Sequence, residues 1–254
     1  MNEVINTAVV LAAGMGNRLK PFTNNAPKCM VNVLGKPLLA HLMDSLQQNN
    51  FKKLILVTGY KSEQIEKFIS SYNTTLDCEI VFNDVYDSTN NIYSLWLAKP
   101  KITSSFVLIE SDIILNPEVL AEFRFSDRIA LDKYNPEIHD GTTATVDLNN
   151  ILEKVYIKQA PPEEKTVYKT VNIYSFSDRL WNLLINEIET FIKKDEVNGF
   201  YEAAIQNLVE EKKVSLEMVD FSGFWWDEID TPEDLERVNH ILSNEKKPVE
   251  SSLL

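Results

Sequence analysis

Only 2 cysteines occur among the 254 residues, Cys29 and Cys78, and neither stands in a Cys-x-x-Cys pattern. That spacing argues against a disulfide framework and against a structural zinc site, and a reducing cytoplasm is the expected location. No signal-peptide pattern is read at the start of the sequence and no apolar run is long enough to span a bilayer, so no membrane partner is expected. The 3 histidines fall at no metal-ligand spacing. His41 reads as core on an apolar helix face, His139 and His240 as exposed. Basic residues are the minority charge, 25 Lys and Arg against 38 Asp and Glu, for a formal net charge of -13. A domain this acidic repels a phosphate backbone, which excludes a general nucleic-acid binder. No internal repeat is present.

The 44% hydrophobic content suits one large α/β domain. Its most telling stretch is Leu11-Ala12-Ala13-Gly14-Met15-Gly16-Asn17-Arg18, followed by Pro21, Thr23 and Pro27-Lys28. It begins where the apolar run Ala8-Val9-Val10-Leu11, a buried strand, stops. Two alanines and two glycines form a turn with almost no side chain, so a polyphosphate can approach the main chain and its N–H groups. Arg18, Lys20 and Lys28 concentrate positive charge in one loop of an otherwise acidic chain. A Walker A loop needs a Gly-Lys-Ser/Thr ending, which is absent, and the dinucleotide fingerprint needs a third glycine, near which Arg18 stands instead. The cluster predicts a nucleoside triphosphate site.

Downstream, Met30 to Val33 reads as a short strand and Leu38 to Gln48 as a helix with inward Leu38, Leu39, Leu42, Met43 and Leu46. Leu54 to Thr58, Glu79 to Phe82 and Phe106 to Ile109 read as buried strands. Helices are expected at Ser62 to Ser71, with Ser62 as N-cap, and from Asn90 to Leu97. This alternation predicts right-handed crossovers and a largely parallel sheet, with ligands at the carboxyl ends of the strands. The glycine loop, Gly59-Tyr60, Asn83-Asp84 and Glu110-Ser111-Asp112 all fall there. In the second half, 129–131, 143–146, 154–157, 167–176 and 215–219 read as strands, several of them antiparallel. Helices are expected at 179–193 and 201–211. Thr231 and Pro232 open a final helix as N-cap and first residue. Residues 1–243 are expected to form the domain and 244–254 a disordered tail or a linker to a second enzyme.

The loop with Arg18 and Pro27-Lys28 resembles the signature of the nucleotidyltransferases that activate sugar phosphates and alcohol phosphates. Asp112 and Trp226-Asp227-Glu228-Ile229-Asp230-Thr231-Pro232-Glu233-Asp234 resemble their two metal-binding segments. Asn83-Asp84-Val85-Tyr86 and Asn90-Asn91-Ile92-Tyr93-Ser94-Leu95 are similar to the branch containing phosphocholine and 2-aminoethylphosphonate cytidylyltransferases. The resemblance runs from Val9 to about Leu242. It implies an α/β, Rossmann-like fold: a mixed, mostly parallel central sheet flanked by helices, with a small antiparallel acceptor-binding subregion, GT-A-like.

It also implies roles. Leu11, Ala13, Gly14, Met15 and Gly16 would hold the nucleotide, with Asn83, Ser88 and Asn90 near the base. Arg18 would stabilise departing pyrophosphate and Lys28 would meet the α-phosphate or the incoming anion. Asp112 and Asp230 would ligate Mg²⁺, the expected cofactor, with Glu228 as a further ligand and Glu110 beside them. Acceptor contacts are expected from 132–143, where Lys133 would meet a phosphonate and Asp140 an amine, with Thr142 as a further contact. That segment has only Tyr134 as an aromatic, and the choline enzymes place a tryptophan there. This favours a primary amine over a quaternary ammonium, which prefers an aromatic cage. The expected partners are therefore CTP and 2-aminoethylphosphonate, with phosphocholine and a sugar 1-phosphate as alternatives. A non-catalytic nucleotide sensor is the alternative from another class. It is disfavoured because Arg18, Lys28, Asp112 and Asp230 are all present.

Overall fold

A computed structural model describes residues 4–245. The first strand, β1 (Thr7–Ala12), is buried along its whole length. Its near-continuous apolar run fits a strand covered on both faces. A two-residue ladder, β2 (Asn32–Val33) with β3 (Lys36–Pro37), precedes α1 (Leu38–Gln48). The expected strand from Met30 is shorter than read. Lys28–Met30 is a 3-10 turn after Pro27, with Met30 N–H bonded to Pro27 O and Val31 N–H to Lys28 O, which removes those residues from any ladder.

β4 (Lys53–Thr58), α2 (Ser62–Ser71), β5 (Asp77–Phe82), α3 (Asn91–Ala98) and β6 (Phe106–Glu110) follow at the expected spacing. Ser62 is the first helical residue of α2 and not its cap. The cap is Lys61 at φ 52, and the Ser62 hydroxyl bonds Thr58 Oγ1 and Glu66 instead. β5, β4, β1 and β6 lie side by side and parallel. This is the arrangement that strand-helix alternation dictates.

After β7 (Ile113–Leu115) come β8 (Arg128–Lys133), β9 (Thr143–Val146), β10 (Leu152–Tyr156) and the long β11 (Tyr168–Phe176). α4 (Asp178–Lys193), α5 (Tyr201–Glu210), β12 (Glu217–Asp220), β13 (Trp226–Glu228) and α6 (Pro232–Glu245) complete the described chain. β11 joins the two halves. Its Ile173–Phe176 end pairs antiparallel with β6, and its Tyr168–Thr170 end pairs with β8 and β9. Nine strands thus form one mixed sheet, in which β12 runs parallel to β8. β7 and β13 form a separate antiparallel pair.

Helices pack on both faces. α3, α4 and α5 cover one, where Trp181 meets Phe106 edge-on at 5.1 Å. α1 and α2 cover the other, presenting Leu39, Leu42, Met43, Leu46 and Ile65 at helical spacing. Each such side chain contributes roughly 1.5–3 kcal/mol on burial. α6 lies on a third, smaller cluster with Leu19 and Val33. Thr231 caps α6, accepting from Asp234 N–H at 3.2 Å while Asp234 Oδ2 accepts from Thr231 N–H at 2.9 Å. The helix continues to Glu245, past the tail boundary expected at 244, and the rest of that segment lies outside the described residues. Among the described residues no helix is long and apolar enough to cross a membrane.

Candidate active site

The glycine loop leaves β1 at its carboxyl end and is propped from two sides. Gly16 has φ +61, and a Cβ there would lie 3.0 Å from Thr23 Cγ2 and 3.1 Å from Lys28 Cβ. Only glycine fits without displacing those neighbours. Thr23 Oγ1 donates to Gly16 O at 2.8 Å, and Tyr60 N–H donates to Ala13 O at 3.1 Å. A Cβ on Gly59 would stand 2.7 Å from that same Ala13 oxygen, so the β4 loop also requires a glycine to approach.

Beside the loop, β7 and β13 bring two distant carboxylates together. Ile229 N–H donates to Asp112 O at 3.0 Å and locks the pair in register. Lys28 Nζ then lies 2.6 Å from Asp112 Oδ2 and 2.5 Å from Asp230 Oδ1, and Arg18 Nη2 lies 2.7 Å from Asp230 Oδ2. Burial disfavours the Lys28 charge, but the two carboxylates outweigh it and raise its pKa. Burial likewise opposes the Asp112 charge, and Lys28 overcomes it and holds that carboxyl low. Asp112 Oδ1 is buried without a hydrogen-bond partner. Two converging carboxylates and an unsatisfied oxygen fit a hard divalent cation whose shell is completed by phosphate and water. Among the described residues no three carboxylate, imidazole or thiol groups form such a cage alone. Glu228, expected as a further ligand, lines the same cleft, and its Oε1 accepts from Asn172 Nδ2 at 3.0 Å and Lys169 Nζ at 3.2 Å.

These groups face a cleft of about 530 Å³. Leu11, Gly14, Gly16, Arg18 and Lys28 line one side, and Thr142, Lys158, Lys169, Asn172 and Glu202 the other. Met15 lines neither this cleft nor the niche beside it. That niche, about 130 Å³, is bounded by Ala13, Gly14, Tyr86, Thr89 and Asn90. It is narrow enough for a flat ring against a side-chain-free loop. Two residues expected near a base are placed differently. Asn83 is buried, with its amide on Thr89 and Ser94 and its oxygen accepting from Val85 N–H, so it braces the turn. Ser88 is exposed and bonds Val85 O. Asn90 caps α3 and lines both spaces.

The inner wall holds two carboxylates, Glu110 from β6 and Glu202 from α5. Asn91 connects them, donating to Glu110 Oε1 at 3.0 Å and Glu202 Oε2 at 3.5 Å while accepting from Tyr201 N–H. Among the described residues neither makes an ion pair. Burial, then Asp112 and Glu202, push the Glu110 pKa up to about 8, and burial pushes Glu202 up to about 7. The buried hydroxyls of Tyr174 and Tyr201 lie close enough to feel both charges. Sequence reasoning left Glu202 unmarked, because an acid in a first helical turn is ordinary. Lys169 and Asn172 carried a signal, a lysine and an asparagine inside the mostly buried strand β11.

The segment 132–143 divides. Thr142 reaches the cleft, and Asp140 sits at its mouth, 3.6 Å from Arg18 Nη1 with both groups exposed. Lys133 is exposed and lines neither space, with its N–H turned onto Asp132. The segment is also less bare of aromatics than read. Trp226 from β13 donates Nε1–H to Asp132 Oδ2 at 2.7 Å and lies 6.1 Å from the His139 ring. His139 is therefore half-buried, not exposed. These residues line a neighbouring hollow of about 510 Å³, which shares Asp140, Lys169, Glu228 and Asp230 with the cleft.

The profile of the family described as nucleotidyl transferase matches residues 7–245. The choline-phosphate cytidylyltransferase of Streptococcus pneumoniae is 30% identical over 219 residues, covering 77% of this chain and 91% of that protein. The CMP-5'-(3-aminopropyl)phosphonate synthase of Streptomyces rubellomurinus is 26% identical over 234 residues, covering 89% of this chain and 37% of its own. Several curated relatives are longer, and the chain spans about half their length. The structure of the inositol-1-phosphate CTP transferase from T. maritima superposes with a TM-score of 0.78 at 22% identity, over 98% of this chain and 99% of that one.

Proposed function

The chain belongs to the nucleotidyl transferase family, and on that premise we propose that it is a cytidylyltransferase joining CTP to a phosphonate or phosphate monoester that carries a primary ammonium, with 2-aminoethylphosphonate as the preferred acceptor. The acceptor oxygen attacks the α-phosphorus. A P–O bond forms there, the bond from the α-phosphorus to the bridging oxygen of the β-phosphate breaks, and pyrophosphate leaves with that electron pair. The attacking oxygen is already anionic at neutral pH, so no general base is required. Catalysis is positioning and charge neutralisation.

The main-chain loop 13–16 cradles the triphosphate, and Arg18 and Lys28 meet its charge. Asp112 and Asp230 would hold Mg²⁺, which supplies further neutralisation of the phosphates. Lys28 then turns from the carboxylates to the nucleotide. The niche behind Gly14 is suited to the base.

The observation that carries the acceptor assignment is the pair of half-buried Glu110 and buried Glu202 at the cleft wall, neither of which makes an ion pair among the described residues. Buried carboxylates are ordinarily paired. A primary ammonium bonds such oxygens directly, while a quaternary ammonium needs several aromatic faces. Phe200 is the aromatic that lines this cleft. A choline-phosphate cytidylyltransferase and an aminopropylphosphonate synthase among the relatives support a cytidine donor and a nitrogen cation. A second reading has one observation in its favour. Trp226 and His139 offer aromatic faces in the neighbouring hollow, where a phosphocholine head would sit.

The test is pyrophosphate release, crossing CTP and UTP with 2-aminoethylphosphonate, phosphocholine and a sugar 1-phosphate. Release with CTP and 2-aminoethylphosphonate is expected. Preference for phosphocholine selects the Trp226 reading, and preference for the sugar phosphate or for UTP overturns both.

A further inference from the structure

Lys169 is a lysine almost wholly withdrawn from solvent, 3% exposed, yet it stands on the wall of both the cleft and the neighbouring hollow. Its position follows from the irregularity of β11. The register against β8 shifts between Thr170 and Tyr174, and Asn172 adopts φ 57 inside the strand. Such a bulge re-aims the side chains on either side of it. Lys169 Nζ donates to Thr170 O at 2.7 Å and to Glu228 Oε1 at 3.2 Å. An ammonium has three donors, and among the described residues no third acceptor lies within bonding distance. Nζ sits beneath the Gly141 turn, 3.9 Å from where a Cβ would stand. Its charge is felt at Asp112, Glu202 and Glu228, which surround the cleft.

We propose that Lys169 grips the anionic end of the acceptor and so fixes which way round the acceptor lies. This deepens the transferase assignment above and rests on it only in requiring an anionic acceptor. On this reading Glu110 and Glu202 take the cationic end of the acceptor, and Lys169, with Arg18 and Lys28 across the cleft, holds its oxygens toward the α-phosphate. A role limited to neutralising Glu228 leaves unexplained why a buried lysine stands on the wall of both spaces, since Asn172 already serves the same Glu228 oxygen at 3.0 Å. Lys158, the other lysine on that wall, is exposed and lies over the Phe200 ring at 4.8 Å.

The experiment uses Lys169→Met, Lys169→Gln and Lys169→Arg, with whichever acceptor the native protein turns over, so a wrong head-group assignment leaves it intact. KM for the acceptor, kcat, and CTP affinity by titration are measured separately. Methylphosphonate, which carries the anionic end alone, is the competitive probe. Loss of one charge-assisted contact should raise acceptor KM and the methylphosphonate inhibition constant about tenfold or more in the Met and Gln variants. CTP affinity should stay within about twofold, and Arg should recover most of the loss. The Gln variant retains polar contact with Glu228 and Thr170, which guards against a Met variant that fails to fold. The proposal is overturned if acceptor KM and methylphosphonate inhibition are unchanged while only kcat or thermal stability falls, or if CTP affinity falls by the same factor.

Discussion

Lys28 and Asp230 meet at 2.5 Å across 202 residues of sequence. The contact is the keystone of the site, because the same ammonium also holds Asp112 at 2.6 Å. The lysine occupies the space between the two carboxylates that would hold a divalent cation. Lys28→Met leaves two half-buried like charges facing one another, with Arg18 still on Asp230. It should lower stability, by less than the roughly 3–5 kcal/mol that breaking a fully buried pair from one side costs. Mg²⁺ should restore more of the melting temperature in this variant than in the native protein, because the cation no longer competes with an ammonium. Thermal melts with and without Mg²⁺ check this, and an equal Mg²⁺ response in both proteins would falsify it.

The parts of the site carried by local sequence were legible before the structure. An apolar strand running into Ala-Ala-Gly-Met-Gly, with Arg18 and Lys28 beyond, needs only short-range chemistry to be read. The parallel half of the sheet follows from strand-helix alternation. The acceptor wall was not legible in the same way. Glu202 meets Glu110 only through Asn91, Lys169 reaches the cleft only through the register shift in β11, and Trp226 reaches Asp132 only because β13 pairs with β7. Each depends on pairings between segments far apart in the chain, which periodicity does not encode. Asn83 and Ser88 show the converse: their polar groups bond Val85, and for Asn83 also Thr89 and Ser94, all within twelve residues of chain.

Gly16→Ala should damage the loop without touching the core. Its φ of +61 penalises any side chain, and its Cβ would press on Thr23 and Lys28. A cost of roughly 1–3 kcal/mol is expected from the backbone conformation alone. The displaced N–H groups should weaken CTP binding about tenfold or more, since the loop's main chain is the cradle. Titration of CTP into the variant, set against its melting temperature, separates the two effects. Unchanged CTP affinity would remove the cradle assignment.

Glu202 makes stability depend on pH. Burial raises its pKa in the fold to about 7, above the ordinary carboxylate value. The folded protein therefore favours the protonated acid. That preference is fully present below the unfolded pKa and is lost as pH rises through the folded value. Without ligand, stability should fall between about pH 4.5 and pH 7, by a contribution on the order of 3 kcal/mol. Glu202→Gln should remove this contribution and make the profile less steep, with the share of Glu110 and Glu228 remaining. Denaturant midpoints for both proteins across that window decide it, and a native profile parallel to that of the variant would refute the assignment.

Glu202→Gln and Trp226→Ala together separate the two acceptor pockets. If the ammonium lies on the carboxylate pair, Glu202→Gln removes the charge from one charge-assisted hydrogen bond. Such a bond is worth roughly 1.5–3 kcal/mol, so kcat/KM for the amine acceptor should fall about ten- to a hundredfold. Trp226→Ala should lower that ratio less than Glu202→Gln, because the indole is turned onto Asp132 in the neighbouring hollow and meets the cleft wall at Lys169, whose Nζ lies 6.0 Å from its ring. The reverse pattern, a large loss in the Trp226 variant and a small one in the Glu202 variant, would move the head group to the aromatic hollow. Loss with both to the same extent would mean that the acceptor spans the wall between them, where Lys169 and Glu228 stand.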